Sequence, residues 1–213
     1  MGVPVLIIGK SGSGKSTSLR NFSKNEIGVI NVLGKPLPFK NDIPDIKTDD
    51  YEKIEKTILK SIVKSIVIDD AGYLMTNQFM RGHSNTGSGN AIFAFYNTIG
   101  DKFWGLIRFV VDFLPPEKIV YFMMHEDKSD FGDIKPKTIG KMLDEKACIE
   151  GMFTVALRCK DHKFLTQTTE NDIAKSPMGM FDTIEIDNDL KFVDEKIREY
   201  WNLNDKNEKQ EDK

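Results

Sequence analysis

The run Gly9-Lys10-Ser11-Gly12-Ser13-Gly14-Lys15-Ser16-Thr17 constrains this chain more than any other feature. Gly9 to Ser16 satisfies the pattern G-x-x-x-x-G-K-[ST]. It lies between Val3 to Ile8, which reads as a strand, and a following stretch that reads as a helix. Glycines at these positions let the main chain wrap an anion so that several N–H groups converge on it. The helix behind the loop adds the positive end of its dipole. Lys15 then reaches the outer phosphates, the Ser16 hydroxyl coordinates magnesium, and Thr17 serves as a helix or α-phosphate contact. The expected ligand is a nucleoside triphosphate with magnesium, ATP foremost.

A second motif supports the first. Ser65 to Asp69 is a continuous apolar run ending in acid, as expected of a strand buried on both faces, and with Asp70 it forms the motif Ser65-Ile66-Val67-Ile68-Asp69-Asp70. An aspartate at such a strand end holds the magnesium, usually through water. Asp69 directly ends the run and is assigned to the metal; Asp70 is left to polarise an attacking water.

Elsewhere, β-rich runs alternate with helical segments, which implies parallel strands joined by crossover helices and an α/β fold. Gly28 to Val32 reads as a strand. Asp49 to Val63 reads as a helix capped by Asp49, with Tyr51, Ile54, Ile58, Leu59 and Ile62 on one face. Arg81 to Asn90 reads as a mobile glycine-rich loop, and Ala91 to Leu114 as a helix stopped by Pro115-Pro116. Lys118 to Met124 reads as a strand and His125 to Gly140 as a polar loop. Phe153 to Cys159 and Lys163 to Thr168 form an antiparallel hairpin at the sheet edge. Residues 1–201 make one domain, and 202–213 a disordered charged tail.

Composition narrows the classes. Hydrophobic residues make up 39% and charged residues 30%, with a formal charge of -3. This balance suits a globular chain and argues against a uniformly basic surface, though not against a local basic groove. No apolar segment is long enough to span a membrane. Cys148 and Cys159 are too few for a disulfide framework and read as thiols in a reducing cytosol. With no leader-like N-terminus, a cytoplasmic location is expected.

From Val3 to about Ile186 the order of these features resembles RecA-like ATPases, especially the compact recombination ATPases encoded by bacteriophages. The resemblance implies a RecA-like sheet, ATP hydrolysis in phage DNA recombination or repair, and a homo-oligomer in the host cytoplasm. It implies single-stranded DNA as a partner, with a single-strand-binding protein or another recombination protein as a further one. Met80 to Asn90 and Glu126 to Gly140 would then be DNA-contacting loops. The second carries Lys128, Lys135, Lys137 and Lys141 with Phe131, interleaved with Glu126, Asp127, Asp130 and Asp133. His125 would sense the γ-phosphate. Lys175, in Ala174-Lys175-Ser176-Pro177, would reach a neighbouring subunit's nucleotide, with Met178, Met180 and Phe181 beside it.

Two departures stand out. The catalytic glutamate that such proteins carry after the second strand is missing from Asn31-Val32-Leu33-Gly34-Lys35, which leaves Asp70 or Glu126 to orient water. The subunit-linking N-terminal segment is also missing. A nucleotide-dependent switch with little turnover and a P-loop small-molecule kinase therefore remain as alternative readings.

Overall fold

Strand Val3–Gly9 (β1) carries the phosphate loop at its C-terminal end. It is followed by strands Ile27–Asn31 (β2) and Asp45–Lys47 (β3), helix Tyr51–Lys60 (α1), strand Ser65–Asp69 (β4), and helices Tyr73–Gly82 (α2) and Asn90–Phe113 (α3). Then come strands Ile119–Lys128 (β5), Ile134–Pro136 (β6), Val155–Lys160 (β7), Lys163–Leu165 (β8) and Glu185–Asp187 (β9), and helix Leu190–Tyr200 (α4). The structure, a computed structural model, describes residues 1–139, 147–169 and 171–203.

Among these residues the strands form one sheet in the order β3-β2-β4-β5-β1-β7-β8-β9, with β6 paired to β5. The pairs from β3 through β7 are parallel; β7–β8 and β8–β9 are antiparallel. The fold is therefore α/β, a mostly parallel sheet with an antiparallel edge. β1 sits near the middle, between β5 and β7, and places its loop at the C-terminal edge where open α/β sheets bind ligands.

The period of two along each strand divides the core. Leu6, Ile8, Ile66, Ile68, Val120 and Phe122 face α1, α2 and α3 through Ile54, Leu74, Phe103 and Ile107. Val5, Ile7, Val67, Tyr121 and Leu157 face Leu19 and the α4 residues Leu190, Val193 and Ile197. Helices thus cover both faces of the sheet.

Several segments differ from expectation. The stretch after the phosphate loop is a six-residue 3-10 turn, Ser16–Asn21, rather than an α-helix. Ser18 explains part of this. Its hydroxyl donates to Lys15 O at 2.6 Å and its N–H is shared between Gly14 O and Lys15 O, so side chains compete with the α-helical ladder. Helix α1 is capped by Asp50, which accepts from Lys53 N at 2.7 Å. Asp49 instead engages Arg81 and Asn77 on α2. Leu59 and Ile62 are exposed rather than core-facing.

Part of the first loop has regular secondary structure. Arg81 and Gly82 end α2, and His83–Asn85 continue as a 3-10 turn with His83 stacked on Phe79 at 4.9 Å between ring centroids. The second loop is a hairpin, because β5 runs on to Lys128 and β6 returns along it. Its last expected members, Gly140 and Lys141, lie outside the described residues, as does 204–213 of the expected tail. The β7–β8 hairpin is present, but β9 takes the outer edge beyond it.

Candidate functional site

The phosphate loop depends on glycines at specific points. Gly12 and Gly14 have φ of 77° and 107°, backbone that other residues adopt only with strain. A Cβ on Gly9 would lie 2.4 Å from Cys159 O. The loop is fastened from beneath. Asn188 Nδ2 donates to Gly14 O and the Cys159 thiol to Ser13 O, both at 3.1 Å, and His162 N–H donates to Ser13 O at 3.2 Å. Burial pushes the Cys159 thiol above its ordinary pKa, so it acts as a neutral packing group.

Lys15 is buried, and its ammonium donates to Gly9 O at 2.8 Å and Lys10 O at 2.9 Å. Burial lowers its pKa, against the pull of nearby acids that include Asp70 and Asp69. Ser16 Oγ donates to Asp69 Oδ1 at 2.9 Å and Oδ2 at 3.1 Å. The two residues assigned to magnesium therefore meet, although they belong to the loop of β1 and the end of β4, with β5 between them. Burial and the neighbouring Asp70 raise the Asp69 carboxyl pKa, partly offset by the Ser16 hydrogen bond. A cation at this corner would relieve that cost.

Asp70 has a left-handed backbone, φ 60°, at a cost of about 1–2 kcal/mol. Its carboxylate lies 2.7 Å from Lys35 Nζ and 3.4 Å from His125 Nε2. Burial opposes its ionisation, but these two partners outweigh it and hold the carboxyl below its ordinary value. His125 pairs in register with Gly9 across β5 and β1, at the level of the loop's first residue. Glu126 forms a two-pronged ion pair with Arg158, at 2.9 and 3.1 Å, and Arg158 also lies 3.8 Å from Asp172. A cleft of about 270 Å³ lies between this pair, residues Lys10 to Ser13 and the β7–β8 turn.

The site thus gathers Lys10, Ser11, Ser13, Lys15, Ser16, Asp69, Asp70, His125 and Glu126 at one edge of the sheet. Thr17 follows in the 3-10 turn. Lys175 is separate. Its main chain bridges Ala156 on the outer flank of β7, and its backbone N–H and carbonyl bond to Ala156 at 2.8 and 2.9 Å. Met180 is buried in the core beside it, whereas Met178 is exposed.

Lys35 and Arg158 were not singled out in the sequence. Arg158 carried a signal: a lone arginine in the apolar run Val155 to Cys159 needs a buried acid nearby. Lys35 carried almost none.

The residues fit a magnesium-bound triphosphate in four respects. The glycine conformations leave the loop open, the Lys15 ammonium lies inside it, and a hydroxyl and carboxylate meet at the metal corner. Finally, the buried Ser13 Oγ has no hydrogen-bond partner. Among the described residues there is no cluster of three or more His, Cys, Asp or Glu to cage an ion. Nor is any helix among them long and apolar enough to cross a membrane.

A scan against protein-family models finds no match, and a search of curated proteins finds none.

Proposed function

We propose that the chain is a magnesium-dependent ATPase of RecA-like organisation, acting on single-stranded DNA in bacteriophage recombination or repair. The observation that carries the nucleotide reading is the Ser16–Asp69 hydrogen bond. It joins the phosphate loop to the acid-ended strand across an intervening strand that presents His125. That strand order supports the RecA-like reading.

Lys15 would exchange its two carbonyl partners for an outer phosphate oxygen. The backbone amides of Lys10 to Lys15 would hold the remaining charge. Bound magnesium would neutralise charge on the β- and γ-phosphates, held by Ser16 and, directly or through water, by Asp69. Asp70 would orient the attacking water and His125 would contact the terminal phosphate.

The DNA reading rests on the β5–β6 hairpin. Its root holds His125 and Glu126, Lys128 and Lys135 flank its arms, and Phe131 at its tip is 90% exposed. An exposed ring beside lysines suits stacking on an unpaired base.

Lys15→Ala should weaken ATP binding about 10- to 100-fold, the loss of one charge-assisted contact. Its turnover should vanish. Calorimetric titration and steady-state hydrolysis check both, and unchanged values would overturn the nucleotide assignment. Stimulation of wild-type hydrolysis by single-stranded DNA tests the recombination reading; no stimulation and no DNA binding would remove it.

One observation favours a nucleotide-dependent switch as a second reading. Both candidate water-orienting acids are engaged, Asp70 with Lys35 and His125, and Glu126 with Arg158. Tight ATP binding without turnover would select the switch.

A further inference from the structure

Lys35 occupies a position no expectation anticipated. It lies in the segment after β2, where the sequence lacks a catalytic acid. Its main chain is fixed: Asn31, buried at the end of β2, donates from Nδ2 to Lys35 O at 2.6 Å and to Asp45 Oδ2 at 3.2 Å. Gly34 supplies the turn before it, with φ 69°. The side chain is not fixed in the same way. It is 60% exposed, and among the described residues the carboxylate it pairs with is Asp70, at 2.7 Å. A lysine anchored at its root and solvated along its stem can change partner without disturbing the fold.

Its present partner adjoins Asp69, so the Lys35 ammonium stands one carboxylate away from the corner where Ser16 meets Asp69. We propose that Lys35 is a second phosphate-directed lysine, paired with Asp70, that transfers to the terminal phosphate of a bound nucleoside triphosphate. The inference rests on the ATP-binding reading above and adds a residue to it.

The terminal phosphate carries more charge than a carboxylate and offers several acceptor oxygens, so it competes well for a mobile ammonium. A nucleoside diphosphate lacks that group and leaves Lys35 where it is. The transfer therefore discriminates triphosphate from diphosphate. It also vacates the Asp70 oxygen that Lys35 covered, so Asp70 can accept a hydrogen bond from water only when a terminal phosphate is present. Asp70 keeps its aim because its main chain and His125 hold it independently of Lys35.

The test is calorimetric titration of wild type and Lys35→Met with magnesium and either a non-hydrolysable ATP analogue or ADP. Lys35→Met should weaken the triphosphate about 10- to 100-fold and leave ADP affinity unchanged. Lys35→Arg should restore most of the preference. Asp70→Asn should tighten the triphosphate, and that gain should vanish in Asp70→Asn/Lys35→Met. Equal weakening of both nucleotides, or an unchanged ratio in Lys35→Met, would overturn the proposal while leaving the ATP-binding reading intact. If the wild type binds neither nucleotide, both fall together.

Discussion

At the residue scale, two glycines of the phosphate loop are unequal. Gly12 and Gly14 both have positive φ, but a Cβ on Gly12 would meet nothing within 4 Å. On Gly14 it would lie 2.9 Å from His162 Nδ1 and 3.1 Å from Asn188 Nδ2. Gly12→Ala should therefore incur backbone strain alone, about 1–2 kcal/mol. Gly14→Ala should lose more stability and, by displacing the Asn188 support, at least about tenfold in ATP affinity, equivalent to ~1.4 kcal/mol. Denaturation midpoints and nucleotide titration of the two variants check the difference. The glycine pattern was legible because its spacing is dictated by main-chain geometry. Asp69 was legible because it ends an apolar run. Lys35 was not, since its role depends on a fold that brings the segment after β2 beside the end of β4, and an exposed lysine has no sequence signature.

At the element scale, α4 is fastened to the sheet by a buried polar network at the opposite edge from the site. Ser65 and Tyr121 hydroxyls donate to Asp194 Oδ1 at 2.6 and 2.7 Å, and Arg198 Nε donates to Oδ2 at 2.7 Å. Arg198 also reaches Ser65 Oγ and Glu117 O. Burial and the adjacent carboxylate raise the Tyr121 pKa well above the ordinary phenol value, so the hydroxyl remains a donor. Asp194→Ala leaves the buried Tyr121 phenol without its acceptor and removes the carboxylate partner of a half-buried guanidinium that keeps only Ser65 Oγ and Glu117 O, and it should lower stability by about 3 kcal/mol, measured by chemical denaturation. The folded fraction should still bind ATP. Strand β4 matched its sequence reading residue for residue, and α3 within one residue at each end, because burial imposes a clear pattern on both. The β5–β6 hairpin escaped notice because β5 leaves the sheet at His125. Beyond that point the residues are polar, Glu126 turned inward onto Arg158 and Asp127 and Lys128 exposed, so the apolar pattern stops although strand geometry does not.

At the scale of the whole molecule, Lys175 poses a question of distance. It lies beside Ala156, which pairs with Leu6, three residues before Gly9 on β1. Strands about 4.8 Å apart and a rise of about 3.3 Å per residue place its Cα some two strands and three residues from its own phosphate loop. A lysine side chain does not cover that distance, so a role at a nucleotide requires a neighbouring subunit. Mixtures of Lys15→Ala and Lys175→Ala proteins, each inactive alone, should then recover part of the ATPase activity. A fully active Lys175→Ala protein would remove Lys175 from the mechanism.

The central position of β1 has a further consequence, for the order in which the chain can assemble. Its partners are not nearby in sequence: Val3 pairs with Ile119 and Val5 with Val155. During synthesis β1 emerges before either of its partners, so it has no strand to join until β5 is made, and it stays open on its other side until β7 follows. Such long-range pairing carries a large loop-closure cost and slows folding. A nascent chain that ends before β5 holds two highly apolar strands, β1 and β4, without the strand that lies between them. The phosphate loop is thus encoded well ahead of both strands that flank it.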